Sequence, residues 1–287
     1  MDVYELIKKK RDGLQLSKME IGYIIGGLLS GGIPDYQMAA FLTAVYFNGM
    51  SARECFDLTM AMTQSGEQAA DWQRQLASGL DAMRIALDRG QQAALVGYLQ
   101  RLMKWNRSYN LTAVRDPKAL VARHVLDSLS ILPWVDSGPV LDVGTGAGLP
   151  GIPLAIARPT MDFCLIDSSG KKTRFLRQIV SELGQPNVEI IHGRVEQLDR
   201  RQHFALITSR AFAALPDMLK ASAPMIKESG RFLVMKGALL SDEIARLPPG
   251  WCAESVPLQV PGETARRHLV IVRRDDGLER GPGVSGN

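Results

Sequence analysis

The stretch Leu141-Asp142-Val143-Gly144-Thr145-Gly146-Ala147-Gly148-Leu149-Pro150-Gly151 constrains the fold more than any other part of the chain. It follows a short apolar run, Val140 to Val143, and precedes a helix-compatible run, Ile152 to Ala157. That order predicts strand, glycine-rich turn and helix. Glycine takes backbone dihedrals closed to other residues and lets a chain approach a ligand closely. The helix that follows offers unpaired N–H groups at its start. Asp167 ends a second apolar run, Phe163 to Ile166. An acid at the end of the second strand of a βαβ unit can accept both hydroxyls of a ribose. These features predict a site for a nucleoside-bearing cofactor at the edge of a parallel sheet.

Two cofactor classes fit such a site, a dinucleotide and S-adenosylmethionine. A dinucleotide fingerprint asks for G-x-G-x-x-G/A with a small last residue. Here that sixth position is Leu149, and the glycines run Gly144, Gly146, Gly148, with Asp142 two residues ahead. The D-x-G-x-G-x-G form is similar to the first motif of Rossmann-like methyltransferases. Leu149 argues against a nicotinamide dehydrogenase.

Composition sets wide bounds. With 287 residues the chain is long enough for one large domain or two smaller ones. It is 46% hydrophobic and 22% charged, which is ordinary for a soluble globular protein. No apolar run approaches the length of a membrane span, and the first residues carry no apolar signal core. Cys55, Cys164 and Cys252 are odd in number and far apart, giving neither a disulfide framework nor a metal pair. The four histidines show no metal-ligand spacing. A cytoplasmic protein with no membrane partner and no metal is expected. The net charge of +4 permits an anionic partner without demanding one.

The first 67 residues read as a separate all-α segment. A first helix carries Val3, Leu6 and Ile7 and stops at Gly13. Ser17 with Glu20, and Ser51 with Glu54, are capping boxes that open two further helices. The second of these is predicted to end near Thr63, closed by Ser65-Gly66. Between them, Tyr36 to Phe47 is apolar on most sides and is expected to be buried. Residues 68–78 are polar and read as a junction. From Pro139 the chain alternates strand and helix, with strands at Val140–Val143, Phe163–Asp167, Val188–Ile191, Ala205–Thr208 and Arg231–Met235. This is the rhythm of a parallel sheet covered on both faces. Trp251–Leu258 and His268–Val272 are expected to close it as an antiparallel pair. Residues 275–287 are rich in glycine and charge and are expected to be disordered.

Two resemblances follow from these residues. Asp2-Val-Tyr-Glu-Leu-Ile-Lys-Lys-Lys, Gly32-Ile-Pro-Asp-Tyr-Gln, Met50-Ser-Ala-Arg-Glu and Leu58-Thr-Met-Ala-Met-Thr resemble the N-terminal helical segment of pyrimidine-nucleoside phosphorylases. In that family the segment helps pair two subunits, and the α/β domain that holds phosphate and nucleoside has no counterpart downstream here. The resemblance implies a fused packing or dimerisation module, with a homodimer through residues 1–67, and no phosphorylase activity.

The second resemblance covers about residues 70–275. Lys104-Trp-Asn-Arg-Ser-Tyr-Asn-Leu-Thr, Arg123-His-Val-Leu-Asp-Ser, Asp142-Val-Gly-Thr-Gly-Ala-Gly-Leu-Pro-Gly-Ile-Pro, Asp167-Ser-Ser-Gly-Lys-Lys-Thr-Arg-Phe-Leu and Ser209-Arg-Ala-Phe-Ala resemble, in order, the RsmG (GidB) family of small-subunit ribosomal RNA methyltransferases. The resemblance implies an α/β, Rossmann-like methyltransferase sheet over residues 79–274 behind the all-α segment. It also implies methylation of guanine N7 in 16S ribosomal RNA, with S-adenosylmethionine as cofactor and ribosomal RNA or the small subunit as partner.

Carried over residue by residue, Gly144, Leu149, Val195, Glu196 and Arg210 match cofactor-contacting positions of that family. Gly146, Gly148 and Asp167 join them from the motif and the strand end. Arg123, His124, Lys171, Lys172 and Lys236 are candidates for the RNA side, each set against a bland reading as a structural histidine or a solvated charge. Trp105, Tyr109 and Asn110 suit either stacking on an extruded base or filling a core. Guanine N7 carries a lone pair and no proton, so no catalytic base is assigned. The readings left beside this one are a small-molecule methyltransferase and a non-catalytic RNA- or ribosome-binding module that keeps the cofactor site.

Overall fold

The computed structural model describes residues 1–29, 32–210, 214–237 and 241–275. The chain divides into two compact units, Met1–Arg74 and Gln75–Asn287. The tail expected to be disordered lies, beyond residue 275, outside the described residues. Among the described residues no helix is long and apolar enough to cross a membrane.

In the first unit, α1 (Val3–Arg11), α2 (Lys18–Leu29), α3 (Asp35–Asn48) and the start of α4 (Ala52–Met83) enclose a small core. Val3, Leu6, Leu16, Ile21, Ile24, Ile25, Ile33 and Phe41 make that core. Both capping boxes form. Ser17 Oγ accepts from the Glu20 N–H at 3.3 Å and Glu20 Oε2 accepts from the Ser17 N–H at 2.7 Å. The same reciprocal pair joins Ser51 and Glu54 at 3.2 and 2.8 Å. Glu54 also accepts from Lys10 Nζ at 2.8 Å and from the Leu16 N–H at 2.9 Å. Burial works against the ionised carboxyl, but these donors win and hold its pKa down to about 2.

Two expectations for this region are overturned. The helix opened by Ser51 does not stop at Ser65-Gly66; α4 continues to Met83, through residues 68–78, within which the two units divide. A serine and a glycine cost a helix at most about 1 kcal/mol each. Trp72, Leu76 and Leu80, spaced four apart, are buried and outweigh that cost. The third helix is also not buried. Phe41 and Ala44 of α3 are buried and Met38 and Val45 half-buried, while Tyr36, Leu42, Tyr46 and Phe47 are exposed.

In the second unit, after α4, come α5 (Arg89–Tyr109), α6 (Pro117–Leu120), a π-helical turn (Val121–Leu126) and α7 (Asp127–Leu129). The sheet elements follow: β1 (Val140–Val143), α8 (Gly151–Ala157), β2 (Phe163–Asp167), α9 (Gly170–Leu183), β3 (Val188–His192), β4 (Phe204–Arg210), α10 (Leu215–Ser222), β5 (Ile226–Lys236), α11 (Ser241–Ala245), β6 (Trp251–Leu258) and β7 (Arg267–Arg274). The strands lie in the order β3-β2-β1-β4-β5-β7-β6. The first five are mutually parallel. β7 inserts antiparallel beside β5, and β6 pairs antiparallel with β7. This is a mixed α/β, Rossmann-like sheet preceded by helices, as the sequence predicts. Parallel strands need crossover connections, and the central strands β1 and β2 are buried along their whole length. One core includes Leu141, Val143, Ile166, Phe204, Ile207 and Phe232. Asp88 and Gln91 form a third capping box, at the start of α5.

Candidate cofactor cleft

The chain order 3-2-1-4-5 brings the carboxyl ends of β1, β2 and β3 to one edge, where open α/β sheets bind ligands. A cleft of about 360 Å³ opens there. It is lined by Val143 and Gly144 at the end of β1, Ile166 to Ser168 at the end of β2, Lys172 on α9, and Gly193 to Glu196 after β3.

The glycine turn is held from below. Gly144, Gly146 and Gly148 have φ of 66°, 63° and 93°, in the left-handed region that suits glycine. Asp142 is fully buried beneath the turn. Its Oδ2 accepts from Thr145 Oγ1 at 2.5 Å and from the Gly151 N–H at 2.9 Å, so it pins both ends of the loop. Its Oδ1 has no partner among the described residues. Burial pushes the Asp142 carboxyl up to about 6, against the pull of Thr145 and the Gly151 N–H. On the far side, the buried Tyr98 hydroxyl donates to the Ala147 carbonyl at 2.8 Å. Burial pushes the Tyr98 pKa up, so it stays a neutral donor.

Asp167 is 6% exposed at the cleft wall. Its Oδ2 accepts from the Gly146 N–H at 2.9 Å, and its Oδ1 from the Ser169 N–H at 2.8 Å. Lys172 Nζ lies 3.5 Å from Oδ2. The carboxylate thus ties the glycine turn to the start of α9 and still faces the cleft. Val195 gives an apolar wall and Glu196 an exposed acid at the rim.

Residues 91–270 match the family model described as rRNA small subunit methyltransferase G, GidB. The chain belongs to the GidB family. The ribosomal RNA small subunit methyltransferase G of Marinobacter nauticus is 53% identical over 204 residues, 71% of this chain and 95% of that relative. The enzyme of the same name from Xylella fastidiosa is 48% identical over 197 residues, 68% of this chain and 92% of that one. Among solved structures, a B. subtilis tRNA methyltransferase, TrmK, superposes with a TM-score of 0.45 at 12% identity, covering 57% of this chain and 73% of that one. Residues 4–66 match a different model, the helical bundle domain of the glycosyl transferase family.

Within the GidB-matching region, the sequence-predicted residues fall into three groups. Gly144, Asp167, Val195 and Glu196 meet at the cleft. Gly146 contributes through its N–H to Asp167. Gly148 and Leu149 are buried beneath the turn. A Cβ at Gly148 would come within 2.6 Å of Ile152 Cγ1 and 2.7 Å of Leu176 Cδ2, so this glycine serves close packing.

Arg210 stands away from the cleft lining. Its Nη1 donates to Asp127 Oδ2 at 3.0 Å and to the Arg123 carbonyl in the π-helical turn at 2.8 Å. Asp127 Oδ1 accepts from Arg267 Nε at 3.0 Å. Glu263 accepts from Arg123 Nε at 2.8 Å and from Arg267 Nη2 at 3.3 Å. Three guanidinium groups and two carboxylates therefore form one cluster beside the carboxyl end of β4. In the sequence, Asp127 figures only within the Arg123-His-Val-Leu-Asp-Ser motif, with no role assigned to it, to Glu263 or to Arg267.

The RNA-side candidates differ in exposure and in pairing. Lys171 is exposed and Lys172 half-buried at the cleft. Arg123 is engaged with Glu263, and Lys236 Nζ pairs with Glu243 Oε2 at 2.9 Å. His124 is a correction. It is buried, with Nε2 at 2.9 Å from Thr112 Oγ1. Burial, helped by the Arg210 charge, holds its pKa down to about 4, so it presents no cation to a phosphate. Trp105 packs near Phe175, ring centroids 5.5 Å apart, and fills the space between α5 and α9. Asn110 caps α5 in the left-handed conformation and accepts from Arg115 Nη2 at 2.5 Å.

Proposed function

We propose that this chain transfers a methyl group from S-adenosylmethionine to N7 of a guanine in 16S ribosomal RNA. The observation that carries the reading is Asp167, a nearly buried carboxylate that faces a cleft beside three left-handed glycines. The cleft is of a size that suits a nucleoside. The residues present fit the cofactor. Asp167 is the acceptor for the ribose hydroxyls, Val195 the apolar wall for the adenine, and the Gly144–Gly146 backbone the floor for the methionine end. When bound, the cofactor supplies an electrophilic methyl group on a sulfonium. The guanine nitrogen is a lone-pair nucleophile with no proton to lose, so no side chain needs to act as a base. The work left to the chain is to hold the two partners in line and exclude water. Alignment of that kind can contribute roughly 7–11 kcal/mol in favourable cases. The test is incubation with labelled S-adenosylmethionine and unmethylated 16S ribosomal RNA, followed by mapping of the label. Label on a guanine N7 supports the reading; label only on a metabolite, or none despite RNA binding, rejects it.

We assign methyl transfer to residues 79–274 and pairing of two copies to residues 1–67. The exposed aromatic and aliphatic side chains of α3 support the second assignment. The expected location is the cytoplasm, with the ribosomal RNA.

A further inference from the structure

Arg210 stands one strand away from the cleft. β1 and β4 are parallel, with Asp142 level with Thr208. Ser209 Oγ donates to the Val143 carbonyl at 2.9 Å, so the register holds to the end of β1. Carried on by one residue, it sets Arg210 level with Gly144, on the opposite side of β1 from Asp167. Neighbouring strands lie about 4.8 Å apart. The guanidinium stays near the glycine turn. Burial raises the pKa of the Asp142 carboxyl and of the Tyr98 hydroxyl, both bonded to that turn, and the Arg210 charge opposes the rise in each.

The Arg210 side chain is held at one end and open at the other. Its Nη1 donates to Asp127 Oδ2 and to the Arg123 carbonyl, which spends both Nη1 hydrogens. The Nε–H and the Nη2 hydrogens have no partner among the described residues, and the side chain is 23% exposed. Nε and Nη2 make up an edge with which a guanidinium grips two oxygens of one carboxylate or phosphate. Asp127 can set the direction of that edge because it is itself fixed. Its side chain is 3% exposed, and its Oδ1 accepts from Arg267 Nε at 3.0 Å. It follows directly on the π-helical turn, which supplies the Arg123 carbonyl. Such turns recur at functional sites.

We infer that Asp127 is a positioning residue for the cofactor: it turns Arg210 so that the open edge receives the carboxylate of the methionine end. The inference rests on the methyltransferase reading above. With the ribose assigned to Asp167 and the methionine end to the Gly144–Gly146 floor, Arg210 lies just past that floor, on the β4 side. The carboxylate is the only anionic group of the cofactor, and its two oxygens match the Nε and Nη2 donors. A phosphate of the RNA would offer an oxygen pair to the same edge, so the test separates the two sources.

The experiment uses the full chain and two ligands that differ only in that group, S-adenosylhomocysteine and its decarboxylated analogue. Calorimetry gives their affinities for wild type, Asp127→Asn and Asp127→Glu. In wild type, loss of the carboxylate should weaken binding about ten-fold or more. In Asp127→Asn that penalty should largely vanish, because S-adenosylhomocysteine binds more weakly while the analogue binds as in wild type. Asp127→Glu keeps the buried charge for both arginines but moves its oxygens by one methylene. It should reduce the penalty too, and it carries the test if Asp127→Asn fails to fold. A loss of affinity equal for the two ligands would make Asp127 merely structural and overturns the inference, as does a penalty that survives intact in the folded variants. In the second arm, Arg210→Met should leave the salt dependence of 16S ribosomal RNA binding, without cofactor, as in wild type. A slope flatter by one phosphate contact, roughly 0.7–0.9, would give the edge to the RNA and overturn the inference. Equal binding of the two ligands by wild type removes this inference alone; a wild type that binds neither removes the proposed function with it.

Discussion

Asp142 and His124 are buried in the same unit with opposite protonation preferences. The folded pKa of Asp142 is raised from 3.8 to about 6, so folding takes up a proton in that window. Its penalty is absent below the unfolded value and fully present above about pH 6. His124 is lowered from 6.5 to about 4, so its contribution is present above 6.5 and is lost as pH falls through 4. Between about pH 4 and 6 the two largely cancel. Asp142→Asn should therefore expose the histidine. Relative to this variant, wild type should gain stability on acidification from pH 7 to 4, by roughly 3 kcal/mol at most. Urea unfolding at pH 4, 5, 6 and 7 reads the difference, and a difference independent of pH contradicts the account. Gly148 gives a second test. Its φ of 93° and the Ile152 and Leu176 atoms within 2.7 Å of a new Cβ leave no room for a side chain. Gly148→Ala should cost about 2 kcal/mol or more through overpacking and strain. Unchanged urea unfolding would show that the glycine is not a packing residue.

At the scale of elements, the sheet was legible because its signals are local. Each parallel strand is a short apolar run bounded by turn residues, and the glycine turn sits between one such run and a helix. The strands observed are mainly longer than predicted: β5 runs Ile226–Lys236 where periodicity marks Arg231–Met235. Its first five residues, Ile226 to Gly230, hold a single large apolar side chain and so give no periodic signal. The Arg210 cluster was illegible for a different reason. Its partners lie 83 and 140 positions apart, and no local pattern links them. The course of α4 was misread because Ser65-Gly66 resembles a stop signal, while the buried Trp72, Leu76 and Leu80 lie beyond it in a polar stretch. That reading has a direct test. Gly66 lies inside the helix, and a Cβ there meets nothing within 4 Å. Gly66→Ala should therefore stabilise α4 by about 0.5–1 kcal/mol, seen as slower hydrogen exchange across the neighbouring turns. Exchange that is unaffected would put the end of the helix back near Ser65-Gly66.

At the scale of the whole molecule, a cleft at the sheet edge and an uncovered apolar helix occur in one chain. Tyr46 and Phe47 on α3 are 83% and 75% exposed, with ring centroids 5.4 Å apart. Tyr36 and Leu42 extend the same helix's apolar surface, and Tyr23 on α2 and Phe56 on α4 are also exposed. Single exposed apolar residues are ordinary, but a concentration of aromatics on one small unit marks an interaction surface. A second copy supplies the same side chains, and a two-fold pairing needs only one self-complementary patch. A standard interface covers about 800 Å² on each partner, centred on buried aromatics. Replacing Tyr46 and Phe47 together by Glu should then break the pair without unfolding the unit, since neither ring contributes to its core. Light scattering should give a dimer for wild type and a monomer for the double variant, with similar thermal unfolding. Methyl transfer per chain should be largely kept, because the cleft is built entirely from residues 143–196. A monomeric wild type, or a double variant that remains dimeric, would remove α3 from the interface. Loss of methyl transfer on dissociation would instead make pairing a condition of catalysis.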